Sequence, residues 1–139
     1  MGLILDSSIL IADERGKFDL TGFLRQFPSS QPVIAAVTAL ELLHGVERAV
    51  YAGRKARRRQ RVEKIRGSVF VQSFELTQAR CHARIWADLE SRGLMIGAHD
   101  LLSAATALAL GHEVGTLNVS EFSRVPGLTV ADGTPFLRP

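Results

Sequence analysis

Apolar residues follow one another along this chain in two rhythms. Short unbroken runs, Leu3-Ile4-Leu5, Val33-Ile34-Ala35-Ala36 and Val69-Phe70-Val71, are bounded by polar or turn-forming residues and predict strands, the first of them buried. They place strands at 3–6, 33–36 and 69–71, with a fourth at 114–117 and a last short one at 128–130. Between them apolar positions recur at helical spacing. A helix fits 7–14, ended by Gly16, and another fits 19–27, where Leu20, Phe23, Leu24 and Phe27 share a face and Pro28 stops the run. A helix over 38–51 would bury Leu40, Leu43 and Val46, with Thr38 as N-cap and Glu41 as its capping-box partner. A long helix over 76–92 would bury Leu76, Ala79, Ala83, Trp86 and Leu89, with Gly93 as its stop. The helix carrying Asp100 runs to about 110 and ends at Gly111, and 118–122 is a short turn or helix. Strands alternating with helices predict an α/β fold, with a mostly parallel central sheet and helices on both faces. No repeat or composition break divides the chain, so 1–139 reads as a single domain.

Composition narrows the class. The chain has 139 residues, 46% hydrophobic and 22% charged, which suits a globular domain with its own core. The net charge of +3 is compatible with a nucleic-acid partner without requiring one. A single cysteine, Cys81, excludes an intramolecular disulfide and suits a reducing cytoplasm. No apolar stretch approaches the length of a membrane span, and Asp6 interrupts an N-terminal run that lacks a basic leader, so neither membrane insertion nor secretion is expected.

Charge is concentrated in one place. Arg54, Lys55, Arg57, Arg58, Arg59, Arg61, Lys64 and Arg66 stand between Gly53 and Gly67, with Glu63 the only acid. Such a cluster is either a solvated helix face or the footprint of phosphate binding. Arg57, Arg58, Arg61 and Lys64 span two helical turns and are the candidates for contact with an RNA backbone. The absence of interleaved aromatics argues against base stacking there.

Acidic residues stand at recurring addresses. Asp6 ends the first strand, Glu41 lies in the helix after the second, Asp100 opens an otherwise apolar small-residue helix, and Asn118 follows the fourth strand. Each has a plain local reading. Asp6 could cap the helix begun by Ser7 or Ser8, Glu41 could serve only a capping box, Asp100 could be an N-cap, and Asn118 to Glu121 matches a capping box. Together, in a parallel sheet, all four fall at one edge, where α/β proteins build their sites. Carboxylates gathered there repel unless a cation holds them, and oxygen-only ligands favour Mg2+ or Mn2+. That is the chemistry of phosphodiester hydrolysis. His99 beside Asp100 either orients that site or packs locally.

Other chemistries fit less well. His44, His82, His99 and His112 lack metal-ligand spacing, and one cysteine cannot build a zinc cage. Neither a phosphate-binding glycine loop nor a nucleophile elbow occurs. A phosphatase using Asp6 as phosphoacceptor would want a second Asp where Ser8 stands.

The runs Leu3-Ile4-Leu5-Asp6-Ser7-Ser8, Thr38-Ala39-Leu40-Glu41-Leu42-Leu43-His44-Gly45, Ile96-Gly97-Ala98-His99-Asp100-Leu101-Leu102-Ser103-Ala104-Ala105-Thr106 and Thr116-Leu117-Asn118-Val119-Ser120-Glu121-Phe122 resemble, in order, the PIN-domain nucleases. Within them the chain is similar to the VapC toxins of toxin–antitoxin pairs. The resemblance implies an α/β/α sandwich, a homodimer, Mg2+- or Mn2+-dependent RNA cleavage leaving 5′-phosphate and 3′-hydroxyl ends, and inhibition by a VapB antitoxin. Asp6, Glu41 and Asp100 match the first three family acids. Asn118 takes the fourth position, where Asp is frequent, and Glu121 is a further candidate ligand. Asp6 and Asp100 would hold the metal, Glu41 would bind it or orient its water, and Thr116 and Ser7 match positions near the pocket. The alternatives are an RNA-binding PIN module with little turnover and a housekeeping PIN nuclease.

Overall fold

A computed structural model describes residues 2–139. Its centre is β1 (Leu3–Leu5), buried from end to end and flanked by β2 (Val33–Ala35) and β4 (Glu113–Thr116). Outside these lie β3 (Phe70–Gln72) and β5 (Val130–Asp132), giving the order β3-β2-β1-β4-β5 with every pair parallel. Ile4 stands opposite both Val33 and Val114, so the three inner strands are in step and end together.

Strand alternation divides the core in two. Ile4, Val33 and Val114 face one layer, made by α5 (Leu76–Ser91), α6 (Ala98–Leu110) and α7 (Val119–Phe122), through Ile85, Leu89, Ala104 and Phe122. Leu3, Leu5 and Ile34 face the other, where Ile9 of α1 (Ser7–Glu14), Phe18 and Phe23 of α2 (Leu20–Leu24) pack. Gly115 is required by this second layer: a Cβ there would lie 2.9 Å from the Phe23 ring. The helix α3 (Ala36–Glu47) turns directly out of β2, and α4 (Ala52–Ser68) takes up the whole basic segment as one continuous helix. Among the described residues no helix is long and apolar enough to cross a membrane.

The structure corrects several local expectations. The helix α3 starts two residues before Thr38, so Thr38 is no cap. It is fully buried inside the helix, and its hydroxyl has no hydrogen-bond partner. Val46 is buried as expected, but Leu40 and Leu43 are exposed, and Ala39 and Leu42 turn inward in their place. In α5 the exposed residues include Leu76, Ala83 and Trp86, while Gln78, Ile85 and Leu89 are buried. The helix α2 stops at Leu24, and the last strand forms two residues later than expected, at Val130–Asp132.

Candidate functional site

The parallel sheet delivers Asp6 at the end of β1, and its carboxylate is almost completely buried. Asp6 takes the N-cap position of α1, yet its side chain makes no capping bond. Its Oδ2 instead accepts two hydroxyl hydrogen bonds, from Ser8 Oγ at 2.6 Å and from Thr116 Oγ1 at 2.9 Å. Those hydroxyls are themselves held by the turn after β4. The Leu117 N–H donates to Ser8 Oγ at 3.1 Å, and the Asn118 N–H donates to Thr116 Oγ1 at 2.9 Å. One carboxylate oxygen is thus fixed from α1 and from β4, the strand beside β1.

The other acids come from the helices around that edge. Glu41, in the second turn of α3, accepts a hydrogen bond from Ser7 Oγ at 3.1 Å, and His99 Nδ1 lies 3.8 Å from its other oxygen. Asp100 sits in the first turn of α6, whose N-cap is Gly97, so Asp100 is not itself the cap. Burial pushes the Asp100 carboxyl up to about 8, helped by a hydrogen bond with Glu121 and by the charges of Asp6, Glu121 and Glu41. Two carboxyl groups share a hydrogen bond only with a proton between them. Glu121 therefore joins the cluster from α7, and that helix has no side-chain cap, which removes the capping-box reading of Asn118 and Glu121.

Asn118 stands at the rim. It is the N-cap residue of α7, exposed, and bound to the network through its backbone N–H. Ser8 escaped the sequence reading as a site residue. Its one signal is a hydroxyl two positions after an acid at a strand end.

The donor set consists of oxygen atoms, and no Lys or Arg pairs with any of the four acids among the described residues. Among those residues no three His, Cys, Asp or Glu side chains already close around a point that could hold an ion. The cluster is acidic without being a finished cage. Four carboxyl groups with no Lys or Arg beside them make a hard, oxygen-only donor set, and that chemistry fits Mg2+ or Mn2+.

The basic helix α4 lies against α1 and α3. Arg58 donates to the Gly45 carbonyl at 2.8 Å and lies 3.8 Å from Glu14; Arg61 pairs with Asp13. Lys55 and Arg59 both approach Glu47. Arg57 and Lys64 make no ion pair among the described residues, so the four candidates for RNA contact divide into two braces and two free cations.

Known proteins share this fold. Residues 3–128 match the PIN domain family. Ribonuclease VapC1 of Rickettsia felis is 36% identical over 94% of this chain and 95% of its own length. A tRNA(fMet)-specific endonuclease VapC of Salmonella typhimurium is 31% identical over 75% of this chain and 76% of its own length. In fold, the chain superimposes with a TM-score of 0.86 and 23% identity on the crystal structure of VapBC2 from Rickettsia felis bound to a DNA fragment from their promoter, covering 95% of this chain and 98% of that one. The chain belongs to the PIN-domain family, among the relatives named VapC.

Proposed function

We propose that this protein is a Mg2+- or Mn2+-dependent endoribonuclease, the toxin of a toxin–antitoxin pair. The observation that carries the reading is the cluster of Asp6, Glu41, Asp100 and Glu121 at one end of the parallel sheet, where burial first, and the neighbouring acids after it, push the Asp100 carboxyl up to about 8. Its relatives are named ribonucleases and an endonuclease, which supports RNA as the substrate.

Asp6 and Asp100 would hold the metal, with Glu41 and Glu121 completing or orienting its shell. The bound ion would polarise the phosphate and lower the pKa of the attacking water. The chain supplies the positioning. Ser8 and Thr116 fix one oxygen of Asp6, which leaves the other to face the cluster. Ser7 fixes one oxygen of Glu41. Asn118, exposed at the rim, offers an amide to water or substrate. No step needs a protein nucleophile.

A VapB-like antitoxin is the proposed partner, supported by the VapBC assemblies among its fold relatives. We place the chain in a homodimer. Support comes from large apolar side chains left exposed, among them Leu40, Leu43, Leu76 and Trp86.

The test is metal dependence. Purified protein should cleave RNA with Mg2+ or Mn2+, stop in EDTA, and resume when either ion is restored. Calcium should bind and support little turnover. RNA binding without cleavage under any ion would instead establish the RNA-binding module.

A further inference from the structure

We infer that the cleft between α1, α3 and α4 is the track on which the RNA backbone lies as it reaches the acidic cluster, with Arg15 and Arg48 as its phosphate-binding cations. The inference rests on the nuclease reading above and adds which part of the RNA is held, and by what.

The cleft has a volume of about 200 Å³ and is lined by Arg15, Glu41, Arg48, Arg58 and Arg61, among others. Glu41 makes it continuous with the candidate site. A second cavity of about 340 Å³ shares Glu14, Arg58 and Arg61 with the first and adds Arg54 and Arg57. The two form one basic path leading away from the acids.

Within the first cavity, the one that reaches Glu41, the ion pairs decide which cations are available. Arg58 and Arg61 are committed to Glu14 and Asp13, so they brace α4 against α1 and also neutralise the acids of that wall. Arg15 and Arg48 line the cleft and make no ion pair among the described residues. Each is the C-cap residue of its helix, Arg15 on α1 and Arg48 on α3. Two unpaired guanidiniums therefore face one concave surface, where low-dielectric walls concentrate their field. Guanidinium suits bidentate contact with phosphate oxygens. No aromatic residue lines either cavity, so the path is suited to a backbone and not to stacked bases. A strand of phosphates is favoured over an acidic protein tail because the path ends at a site whose proposed chemistry is on a phosphodiester.

The test uses the whole chain in EDTA and a short single-stranded oligoribonucleotide, with affinity measured across a range of NaCl. Each phosphate neutralised on a single strand contributes roughly −0.7 to the slope of log K against log salt. Arg15→Ala with Arg48→Ala should therefore make the slope shallower by about 1.4 and weaken binding roughly tenfold at low salt. Arg15→Lys with Arg48→Lys should restore the slope. The control, Arg25→Ala with Arg80→Ala, removes the same charge at exposed positions outside both cavities and should leave the slope unchanged.

Equal slopes for the cleft variant and the control would overturn the inference. So would a lower melting temperature with an unchanged slope, which would assign both arginines to their helix ends alone. Weakened binding of a polyglutamate peptide with an unchanged RNA slope would assign the cleft to an acidic protein segment, also against the inference. If the wild type cleaves RNA with Mg2+ while the variants match the control, only the inference fails. If the wild type neither binds nor cleaves RNA, the nuclease reading fails with it.

Discussion

Asp100 carries the clearest electrostatic signature in the molecule. Below about pH 4 it is protonated whether the chain is folded or not, its ordinary value being 3.8. Between there and about 8 the unfolded chain has released that proton and the folded chain retains it, so folding becomes steadily less favourable as pH rises. The penalty is complete above about 8. Thermal melts in EDTA should therefore show stability falling across this window. Asp100→Asn should flatten the fall, and saturating Mg2+ should reduce it in the wild type. Identical pH profiles for the wild type and Asp100→Asn would show that the cluster is not under this strain. The hydroxyls around Asp6 make a second prediction at the same scale. Ser8→Ala leaves every acid in place and removes one of the two bonds that fix Asp6 Oδ2. Outer-shell partners of this kind are worth roughly 10- to 100-fold in metal affinity or activity. The Mg2+ titration of RNA cleavage should shift to higher concentration in that variant, whereas an unchanged titration would make Ser8 incidental.

The elements show what a sequence can and cannot disclose. The inner strands are legible because each is a short apolar run ended by polar residues. Asp6, Glu41 and Asp100 are legible because each has a fixed address relative to a strand or a helix start. The hold on Asp6 is not legible, since it needs Thr116, 110 residues away in sequence, to be brought alongside by the pairing of β1 with β4. Glu121 is ambiguous because an acid in the first turn of a helix also serves the helix dipole, and its hydrogen bond with Asp100 depends on how α6 and α7 pack. The register of α3 is lost for a related reason. Thr38 has the composition of an N-cap, but the chain turns straight from β2 into the helix at Ala36. Apolar residues at 39, 40, 42, 43 and 46 allow two overlapping faces, and packing selects Ala39, Leu42 and Val46 over Leu40 and Leu43. Thr38 then becomes a buried hydroxyl without a partner, which costs on the order of 1–3 kcal/mol. Thr38→Val, which keeps the branched shape, should leave stability unchanged or raise it by up to about 1 kcal/mol in urea unfolding. A loss of more than about 1 kcal/mol would mean that the hydroxyl finds a partner in solution.

At the scale of the whole molecule, the order β3-β2-β1-β4-β5 is what turns scattered acids into one site. Parallel strands in step end at a common edge, and the helices that leave or approach that edge carry the remaining acids inward. The basic helix α4 lines one cleft together with Glu41, and there the acidic centre meets the proposed cationic path. If the toxin reading holds, producing this chain alone should arrest bacterial growth, and co-producing its cognate VapB-like protein should relieve the arrest. Unimpaired growth with nuclease-active protein would make it a housekeeping nuclease. The central claim is that these acids form the hydrolytic centre, and it is tested most directly by RNA cleavage with Asp6→Asn and Asp100→Asn. Both variants should retain the wild-type circular dichroism spectrum and lose cleavage in Mg2+ and in Mn2+, because each removes a charged ligand without removing bulk. Undiminished cleavage by both folded variants would contradict the account.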